Sequence, residues 1–497
     1  MTSPDPRPIR RSTVWEGMVR GTLLSLALLA ATAASIPAYA RATGFVRVEQ
    51  IDGTWWFVDP DGKRFVSLGV NHIEPHLWLA PYNRAETLRK YGADFVGPDG
   101  RFNSAGTAAR QWMERQLSVC ADLNFNTLGK HTHPTIDSAL YQDRIYYVVS
   151  LETSPLARWQ ERNGEGPRPD IFSPAFREWL EARVRPVAEQ HRNSRRLLGY
   201  VYTDVPSWVM GAEEQTTRNE RTMIYPWLNA LLALGETSPG KQRWIEHLRS
   251  RYDPAEAAAQ VWGIPVSPAY GISWDRLARL TLWFKPADAP RAQADMLAFL
   301  PILADQWYGL HREIILRHDP NHLLFGDKNF VHAHYDWLLP VLKKHVDAIT
   351  FQSYEPWTAD EPKIRRIHEA TGKPVFNGDG CFGLVLPQQR RLGVKGARSG
   401  VRNFAEVAQF YREHLAGMMA APYMLGWHHC GFLQQWDEAE RGDVAQNENG
   451  FLDPLENYVT EWTEVIRAAN RDAATWHEAA RPGPPPGSKS PARTAPP

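Results

Sequence analysis

The chain has 497 residues, more than a typical single domain, although α/β barrels reach this length when they carry insertions. Its 56 Lys and Arg residues balance 56 Asp and Glu residues, so composition gives no electrostatic case for binding nucleic acid or an anionic surface. Three cysteines exclude a disulfide scaffold and allow one bridge at most. The 20 Trp residues can fill a core or form platforms for sugar rings, and composition favours the core.

The N-terminus has the pattern of an export signal. Arginines precede the apolar stretch Thr22–Ala34, and Ala38 and Ala40 form a small-residue cleavage signature. The apolar stretch is too short to span a membrane. We therefore predict that residues 1–40 are a signal peptide and that the mature protein is periplasmic or secreted, without a membrane span.

The next segment alternates apolar and polar residues. Gly44–His72 does so around two Asp-Gly turns, which begin at Asp52 and Asp61, and this predicts an N-terminal β-meander over residues 41–63. The following run, Arg64–Val70, is nearly continuous in apolar residues and is expected to be a buried strand.

Short apolar runs then alternate with helical stretches over residues 64–475. Eight runs are strand candidates: Arg64–Val70, Asn124–Gly129, Ile145–Leu151, Leu197–Asp204, His322–Asp327, Val346–Tyr354, Lys373–Asp379 and Tyr423–His429. Repeated strand–helix alternation requires a parallel sheet with crossover helices, and eight strands fit a closed (β/α)8 TIM barrel of the α/β class.

Two segments depart from this alternation. A long insertion follows strand four, which we place at residues 209–285, and its stretch Lys241–Gly263 has a helical pattern. Residues 476–497 end in a Pro-rich sequence without periodicity, which predicts a disordered tail.

The active site of such a barrel lies at the carboxyl ends of its strands, so the residues that end each run are the candidates. Strand four ends at Asp204 and strand seven at Asp379, which places two carboxylates on opposite sides of the mouth. The other candidates, as substrate-binding residues, are Asn71, His72, His131, Asp327, Lys328, Tyr354, Trp427 and His428.

Two opposed carboxyl groups are what glycoside hydrolysis requires. One protonates the departing oxygen, and the other attacks the anomeric carbon or activates a water molecule. A simpler interpretation also exists, because an Asp at a strand end can hold a loop or cap the next helix. The presence of both residues, Asp204 and Asp379, on opposed strands favours the catalytic interpretation.

Several segments resemble agarases of the β-galactosidase-like superfamily of barrel glycosidases. "KPVFNGDGCFG" (Lys373–Gly383) is similar to their strand-seven motif, in which Asp379 takes the place of the nucleophilic Glu. "LGYVYTDVPSW" (Leu198–Trp208) is similar to their strand-four segment, which carries the acid/base Glu. The similarity extends from about Trp55 to Val459 and is more specific for the superfamily than for agarose.

This resemblance implies a barrel glycosidase that acts on a poly- or oligosaccharide without a cofactor or a catalytic metal. Tyr354 resembles the Tyr that orients the nucleophile in related barrels. Both catalytic Glu positions lack Glu, however, and the family's strand-four Asn-Glu pair can be aligned with Thr203-Asp204 or with Asp204-Val205. Glu355 and Glu448 are spare carboxylates in case Asp204 is not the strand-four residue.

Asp is one methylene shorter than Glu, so each carboxylate would withdraw by about 1–1.5 Å on an unchanged backbone. The gap would widen from the ~5–5.5 Å of retaining enzymes toward the ~6.5–9.5 Å of inverting ones. We therefore expect a possibly inverting enzyme, with Asp204 as general acid and Asp379 as base.

Three alternatives remain at the level of the sequence. The chain could be a catalytically silent barrel that binds carbohydrate, having lost both Glu residues. It could be a metal-dependent hydrolase, if His131, His133, His428 and His429 gathered a metal near Asp379, although no helical His pair or Cys pair supports this. Cys381 could be a nucleophile, but a small packing residue is favoured.

Overall fold

A computed structural model describes residues 44–132, 134–153, 170–204, 225–283, 285–382, 403–435 and 449–480. The predicted signal peptide lies outside the described residues, as do the start of the predicted insertion and residues 481–497 of the predicted tail.

Eight parallel strands form a closed barrel in chain order, as predicted, and the last strand pairs with the first. The strands are β4 (Ser67–Val70), β5 (Thr127–Leu128), β6 (Tyr146–Ser150), β7 (Leu197–Asp204), β8 (Leu323–Phe330), β9 (Ile349–Gln352), β10 (Val375–Gly380) and β11 (Met424–His429). Each corresponds to one predicted run. Nearly every strand residue is buried, which is why these runs are apolar without alternation.

A three-stranded antiparallel sheet precedes the barrel and consists of β1 (Arg47–Ile51), β2 (Thr54–Val58) and β3 (Arg64–Phe65). The prediction of one strand over Arg64–Val70 is wrong, because the chain leaves this sheet after Phe65 and enters the barrel at Ser67. Phe65 is held in the first sheet by stacking on the Phe57 and Tyr146 rings, with centroids at 5.6 and 4.3 Å.

The same sheet covers the end of the barrel opposite the strand carboxyl ends. The ring of Phe57, which is fully buried, meets the rings of Phe325 and Phe376 edge-on at 6.3 and 6.2 Å. These two residues lie near the starts of β8 and β10. The site can therefore lie only at the other end of the barrel, where the strand carboxyl ends are.

Helices surround the strands. Within the described residues they are α1 (Arg84–Tyr91), α2 (Thr107–Asp122), α3 (Pro174–His191), α4 (Pro226–Leu232), α5 (Pro239–Arg249), α6 (Ala255–Val261), α7 (Trp274–Arg279), α8 (Ala289–His318), α9 (Leu339–His345), α10 (Trp357–Thr371), α11 (Phe404–Met419) and α12 (Thr460–Glu478). Helix α3 shows why such segments begin where they do, since the Ser173 hydroxyl accepts the Phe176 N–H at 3.1 Å and Pro174 takes the first helical position. None of these described helices combines the length and apolar character that crossing a membrane requires.

The segment after β7 contains helices, as predicted, but Lys241–Gly263 is not one helix. Helix α5 ends at Arg249 and α6 begins at Ala255, because Pro254 between them cannot continue a helix. The break is anchored on α8 by the buried Asp295, which accepts hydrogen bonds from Arg251 Nε at 2.6 Å and Tyr252 OH at 2.7 Å.

Helix α12 continues to Glu478, so the first residues assigned to the tail are helical. The buried His477 ring holds this end, with its nitrogens 3.0 Å from the Met419 carbonyl oxygen and 2.8 Å from that of Trp55. Many of the Trp residues that the structure describes lie in the core, as composition suggested, and eight of these are 2% exposed or less: Trp78, Trp112, Trp244, Trp262, Trp283, Trp307, Trp427 and Trp462.

Candidate active site

Asp379 lies near the end of β10, and its two glycine neighbours let the strand approach β9 closely. A Cβ on Gly380 would lie 2.2 Å from the Ser353 carbonyl oxygen, and one on Gly378 would lie 2.4 Å from Thr350 Oγ1. Any side chain at either position would push the strands apart. The glycines thus serve strand packing at the point where Asp379 enters the barrel mouth.

The Asp379 carboxylate is 3% exposed and surrounded by donors. Asn71 Nδ2 donates to Oδ1 at 2.8 Å, and the Lys328 ammonium donates to Oδ2. Tyr354 OH lies 3.4 Å and His131 Nε2 lies 3.3 Å from Oδ2. Four predicted substrate-binding residues therefore meet at the predicted catalytic Asp379.

Asp204, at the end of β7, faces the same basic side chains. Its Oδ1 lies 3.1 Å from Lys328 Nζ, and its Oδ2 lies 3.4 Å from His131 Nε2 and 3.7 Å from Lys130 Nζ. His131 Nε2 is 3.4 Å from Asp204 Oδ2 and 3.3 Å from Asp379 Oδ2, so the sum of these distances, 6.7 Å, is the upper limit for the separation of the two oxygens. The two predicted catalytic carboxylates are thus close together.

Both carboxyl groups are held in the ionised form. Burial alone would raise the pKa of Asp379, but the Lys328 ammonium and the His131 ring outweigh burial and hold that pKa well below its usual range. For Asp204 burial also acts upward, and Lys328, Lys130 and His131 together lower the pKa. Neither carboxyl carries a proton at neutral pH in this arrangement.

Two stacked histidines lie beside the carboxylates. The rings of His72 and His131 are parallel within 11°, with centroids 4.5 Å apart. Burial would lower the pKa of His72, but hydrogen bonds with Cys430 and Glu74 raise it to about 10. Burial, with a further contribution from Lys328, lowers the pKa of His131 despite its hydrogen bond with Asp379. One imidazole of the stack is therefore charged, and its neighbour is neutral.

Two residues at this mouth were missed by reading only the strand ends. Glu74 follows β4 by four residues and contacts His72 Nδ1 at 2.8 Å. Glu152 follows β6 by two residues and contacts Lys130 Nζ at 2.9 Å. Both acids, with His131 and Lys130, line a cavity of about 320 Å³ beside the carboxylate pair. Reading each run a few residues past its end would have found them.

Three predicted substrate-binding residues do not face the mouth. Trp427 is 2% exposed, donates its Nε1–H to the Gly380 carbonyl and packs on Tyr411 of α11, so it is a core residue with no face open to a sugar. Asp327 is buried and accepts the Trp307 Nε1–H at 3.1 Å, on the helix side of β8.

His428 is buried inside the barrel beneath the site. Its Nε2 lies 2.8 Å from Ser67 Oγ, and burial lowers its pKa to about 3, which keeps the ring neutral. The alternatives Glu448 and His133 lie outside the described residues. Glu355 is described, and its backbone N–H donates to Ser353 Oγ at 3.2 Å.

Among the described histidines, His428 and His429 do not join His131 in a set of possible metal ligands, and His429 Nε2 is hydrogen-bonded to the Asn449 carbonyl at 2.8 Å. Two other sets have possible ligand atoms within 4.8 Å of one another: His72, Asp379 and Cys430, and His72, Glu74 and His131. Distance alone would permit a cation at either set. The Lys328 ammonium on Asp379, however, already supplies positive charge there.

No family model matches the sequence. Two curated proteins of Vibrio sp. (strain JT0107) do match. Beta-agarase B is 22% identical over 494 residues, covering 87% of this chain and 48% of the relative, and beta-agarase A is 24% identical over 481 residues, covering 87% and 46%. The chain is similar to beta-agarases. It spans about half the length of these curated relatives.

Solved agarase structures share the fold. An exo-beta-agarase superimposes with a TM-score of 0.66 at 19% identity, covering 88% of this chain and 66% of that chain. The agarase AgWH50C superimposes with a TM-score of 0.66 at 18% identity, covering 95% and 72%. These likenesses confirm the TIM-barrel fold that the sequence predicted.

Proposed function

We propose that this agarase-like barrel is a glycoside hydrolase that cleaves O-glycosidic bonds in a poly- or oligosaccharide. The observation that carries the proposal is the pair of carboxylates, Asp204 and Asp379, which come from opposed strands and lie within 6.7 Å of each other at the mouth. Because its relatives are named beta-agarases, agarose and its oligosaccharides are the first substrates to test.

Asp379 fits the role of the ionised carboxylate. It is buried, it keeps its charge through Lys328 and Asn71, and both oxygens are fixed in position. Such a group attacks the anomeric carbon or removes a proton from a water molecule. Pre-oriented charge of this kind needs little reorganisation during the reaction.

Asp204 is the proposed general acid. Its side chain is 35% exposed, so a bound sugar would displace water from it and raise its pKa by desolvation. The free enzyme holds that pKa low, and proton uptake therefore has to accompany substrate binding. A pH-dependent substrate affinity, with proton uptake measured in weakly buffered solution, is the expected signature.

The separation of the two carboxylates bears on the proposed stereochemical outcome. The upper limit of 6.7 Å between the two oxygens reaches only the lower edge of the ~6.5–9.5 Å range of inverting enzymes. Lys328, moreover, lies between the carboxylates and contacts both. This supports a retaining reaction over the inverting one that the shorter side chains suggested, and NMR analysis of the first-formed anomer distinguishes the two.

The test of the function is a screen of the full chain on agarose, agaro-oligosaccharides, aryl glycosides, and other algal, plant and bacterial polysaccharides. Asp379→Asn and Asp204→Asn should each lower the rate on the cognate glycan by ~10²–10⁴-fold. Asp305→Asn is the matched control, because this aspartate is 47% exposed, pairs with Lys344 away from the site, and should leave the rate unchanged. Unaltered turnover in both Asp variants would refute the proposed pair.

A carbohydrate-binding barrel without activity is the second candidate. It is favoured by the two ionised carboxyl groups with the Lys328 ammonium between them, because that arrangement holds no protonated carboxyl as an acid. Calorimetric binding of oligosaccharides by wild type and Asp379→Asn, with no cleavage by either, would support this candidate.

Export is part of the proposal and rests on the pattern of residues 1–40. Expression of the full chain in a bacterial host should yield a mature protein that begins after Ala40 in the periplasm or the medium. N-terminal sequencing of the cell fractions tests this.

A further inference from the structure

Two cysteines stand opposite each other at the ends of β10 and β11. These strands pair in parallel with Gly380 opposite His429, and the Cys430 N–H donates to the Gly380 carbonyl at 3.0 Å. The next residues, Cys381 and Cys430, are therefore neighbours across the sheet. Adjacent strands lie about 4.8 Å apart, within the ~4.4–6.8 Å of Cα separation that a disulfide spans.

Their sulfurs already interact. The Cys430 thiol hydrogen-bonds to Cys381, and both residues are partly exposed and free. The remaining cysteine, Cys120, is buried in α2. The chain can form one bridge at most, and the structure brings together the only cysteines that can form it without rearrangement.

The two thiols differ in their surroundings. Asn449 Nδ2 donates a hydrogen bond to Cys381 Sγ at 3.0 Å. The hydrogen bond with Cys381, burial and the nearby Asp379 charge raise the pKa of the Cys430 thiol. We therefore assign Cys430, whose thiol holds its proton more tightly, as the resolving cysteine and Cys381 as the attacking one.

We propose that Cys381 and Cys430 are a reversible redox pair, which a small-molecule disulfide such as oxidised glutathione converts into a protein disulfide at the barrel mouth. Cys381 loses its proton and attacks one glutathione sulfur, the S–S bond of glutathione disulfide breaks, and one glutathione leaves while Cys381 holds the other in a mixed disulfide. Cys430, losing its proton, then attacks the Cys381 sulfur and releases the second glutathione. Two protein thiols lose two electrons, and one glutathione disulfide becomes two thiols, which take up the two protons.

Oxidation would alter the hydrogen bonds around the carboxylate pair. Tyr354 OH lies 3.8 Å from Cys430 Sγ and 3.4 Å from Asp379 Oδ2. When the disulfide draws the Cys430 sulfur toward Cys381, the Tyr354 hydroxyl loses its contact with Cys430 and donates a stronger hydrogen bond to Asp379. That stronger hydrogen bond makes the Asp379 carboxylate less basic. We therefore infer that the oxidised form is several-fold slower, a consequence that rests on the proposed hydrolase function.

The experiment equilibrates the native full chain in defined ratios of oxidised to reduced glutathione, then denatures and alkylates it for mass spectrometry. The reduced protein should carry three alkyl groups and the oxidised protein one, on Cys120, with a Cys381–Cys430 cross-linked peptide. Cys381→Ser and Cys430→Ser should each stop the bridge, and Cys120→Ser should not. The oxidised form should also melt at a higher temperature, because the bond closes a loop of about 50 residues.

Three alkyl groups at every glutathione ratio would overturn the redox pair, as would a bridge that includes Cys120 or a glutathione adduct on Cys381 that never resolves. The rate effect is judged separately. Equal glycan hydrolysis by the oxidised and reduced forms would overturn the regulatory part. A failure of all hydrolysis would refute the proposed function, while alkylation would still decide the disulfide.

Discussion

Replacing Lys328 by Met removes the cation that both carboxylates share and leaves a side chain of similar length. The ammonium lies 3.1 Å from Asp204 Oδ1, donates to Asp379 Oδ2, and its side chain is 1% exposed. Without it, two like charges face each other at 6.7 Å or less. The pair should then behave as a carboxylate dyad in which one member binds a proton more easily.

The size of the effect follows from the attraction that the substitution removes. At the 3.1 Å between Lys328 Nζ and Asp204 Oδ1 and an effective dielectric constant of about 20, that attraction is about 5 kcal/mol, or roughly four pKa units. Asp204 is 35% exposed, so solvent screens part of this, and we expect the higher pKa of the pair to rise by about one unit or more.

Lys328→Met should shift the pH dependence of activity and the pH dependence of stability in the same direction. In the wild type the folded-state pKa of both groups is lowered, so their stabilisation is present above the unfolded-state pKa and is lost as pH falls through the folded-state value. In Lys328→Met that loss should begin at higher pH. The acid limb of kcat/KM on the cognate glycan should move upward with it.

The assays are thermal melting from acid to neutral pH and, where glycan cleavage is found, the pH profile of kcat/KM. Lys344→Met is the matched control, because Lys344 also pairs with an aspartate, at 2.7 Å, but is 63% exposed and lies away from the site. Identical pH profiles of melting in Lys328→Met and wild type would refute the idea that this lysine sets the charge of the pair.

Three further substitutions test how the barrel holds the site. Phe57→Ala should lower the free energy of unfolding by about 3–5 kcal/mol in denaturant titrations, because it removes a fully buried ring and leaves a cavity at the end of the barrel opposite the site. Glu456→Ala should lower the free energy of unfolding by a similar ~3–5 kcal/mol, since it removes a buried carboxylate and leaves its hydrogen-bond donors, which include Tyr91 OH at 2.6 Å, without that acceptor. Asp295→Ala should cost about 3 kcal/mol and make the helices after β7 more sensitive to limited proteolysis, because Arg251 loses its buried partner.

The barrel could be predicted because its strands are buried on both faces and therefore read as uninterrupted apolar runs. All eight runs became strands. The same property misled at Arg64–Val70, where an apolar run continues from one sheet into another. Apolar character reports burial but not the partner strand, so the boundary at Val66 could not be found from composition.

The orientation of side chains at the strand ends was the least predictable feature. Side chains alternate between the two faces of a regular strand, but β10 shifts register against β9 between Asn377 and Asp379, and β8 shifts register against β7 between Gly326 and Lys328. Alternation alone puts the neighbours Asp327 and Lys328 on opposite faces, but because of these irregularities the sequence does not show that Lys328 is the one that faces the mouth. They arise from backbone packing between strands, which a single sequence does not express.

The presence of Asp in place of Glu at both positions is consistent with the buried Lys328 ammonium, because the shorter side chains leave space for it. A Glu at either position would carry its carboxylate about 1–1.5 Å farther into the mouth, into the space that the Lys328 ammonium now occupies. With Asp204 and Asp379 the space is filled by a cation instead of by water, and the same cation keeps both acids ionised. The replacement of Glu by Asp at both positions, which the sequence suggested would widen the gap between the carboxylates for a water molecule, is thus compatible with two carboxylates that lie close together and share the positive charge of Lys328. Cleavage of a glycan by this pair therefore requires a substrate whose binding raises the pKa of Asp204 enough for that carboxyl to take up a proton.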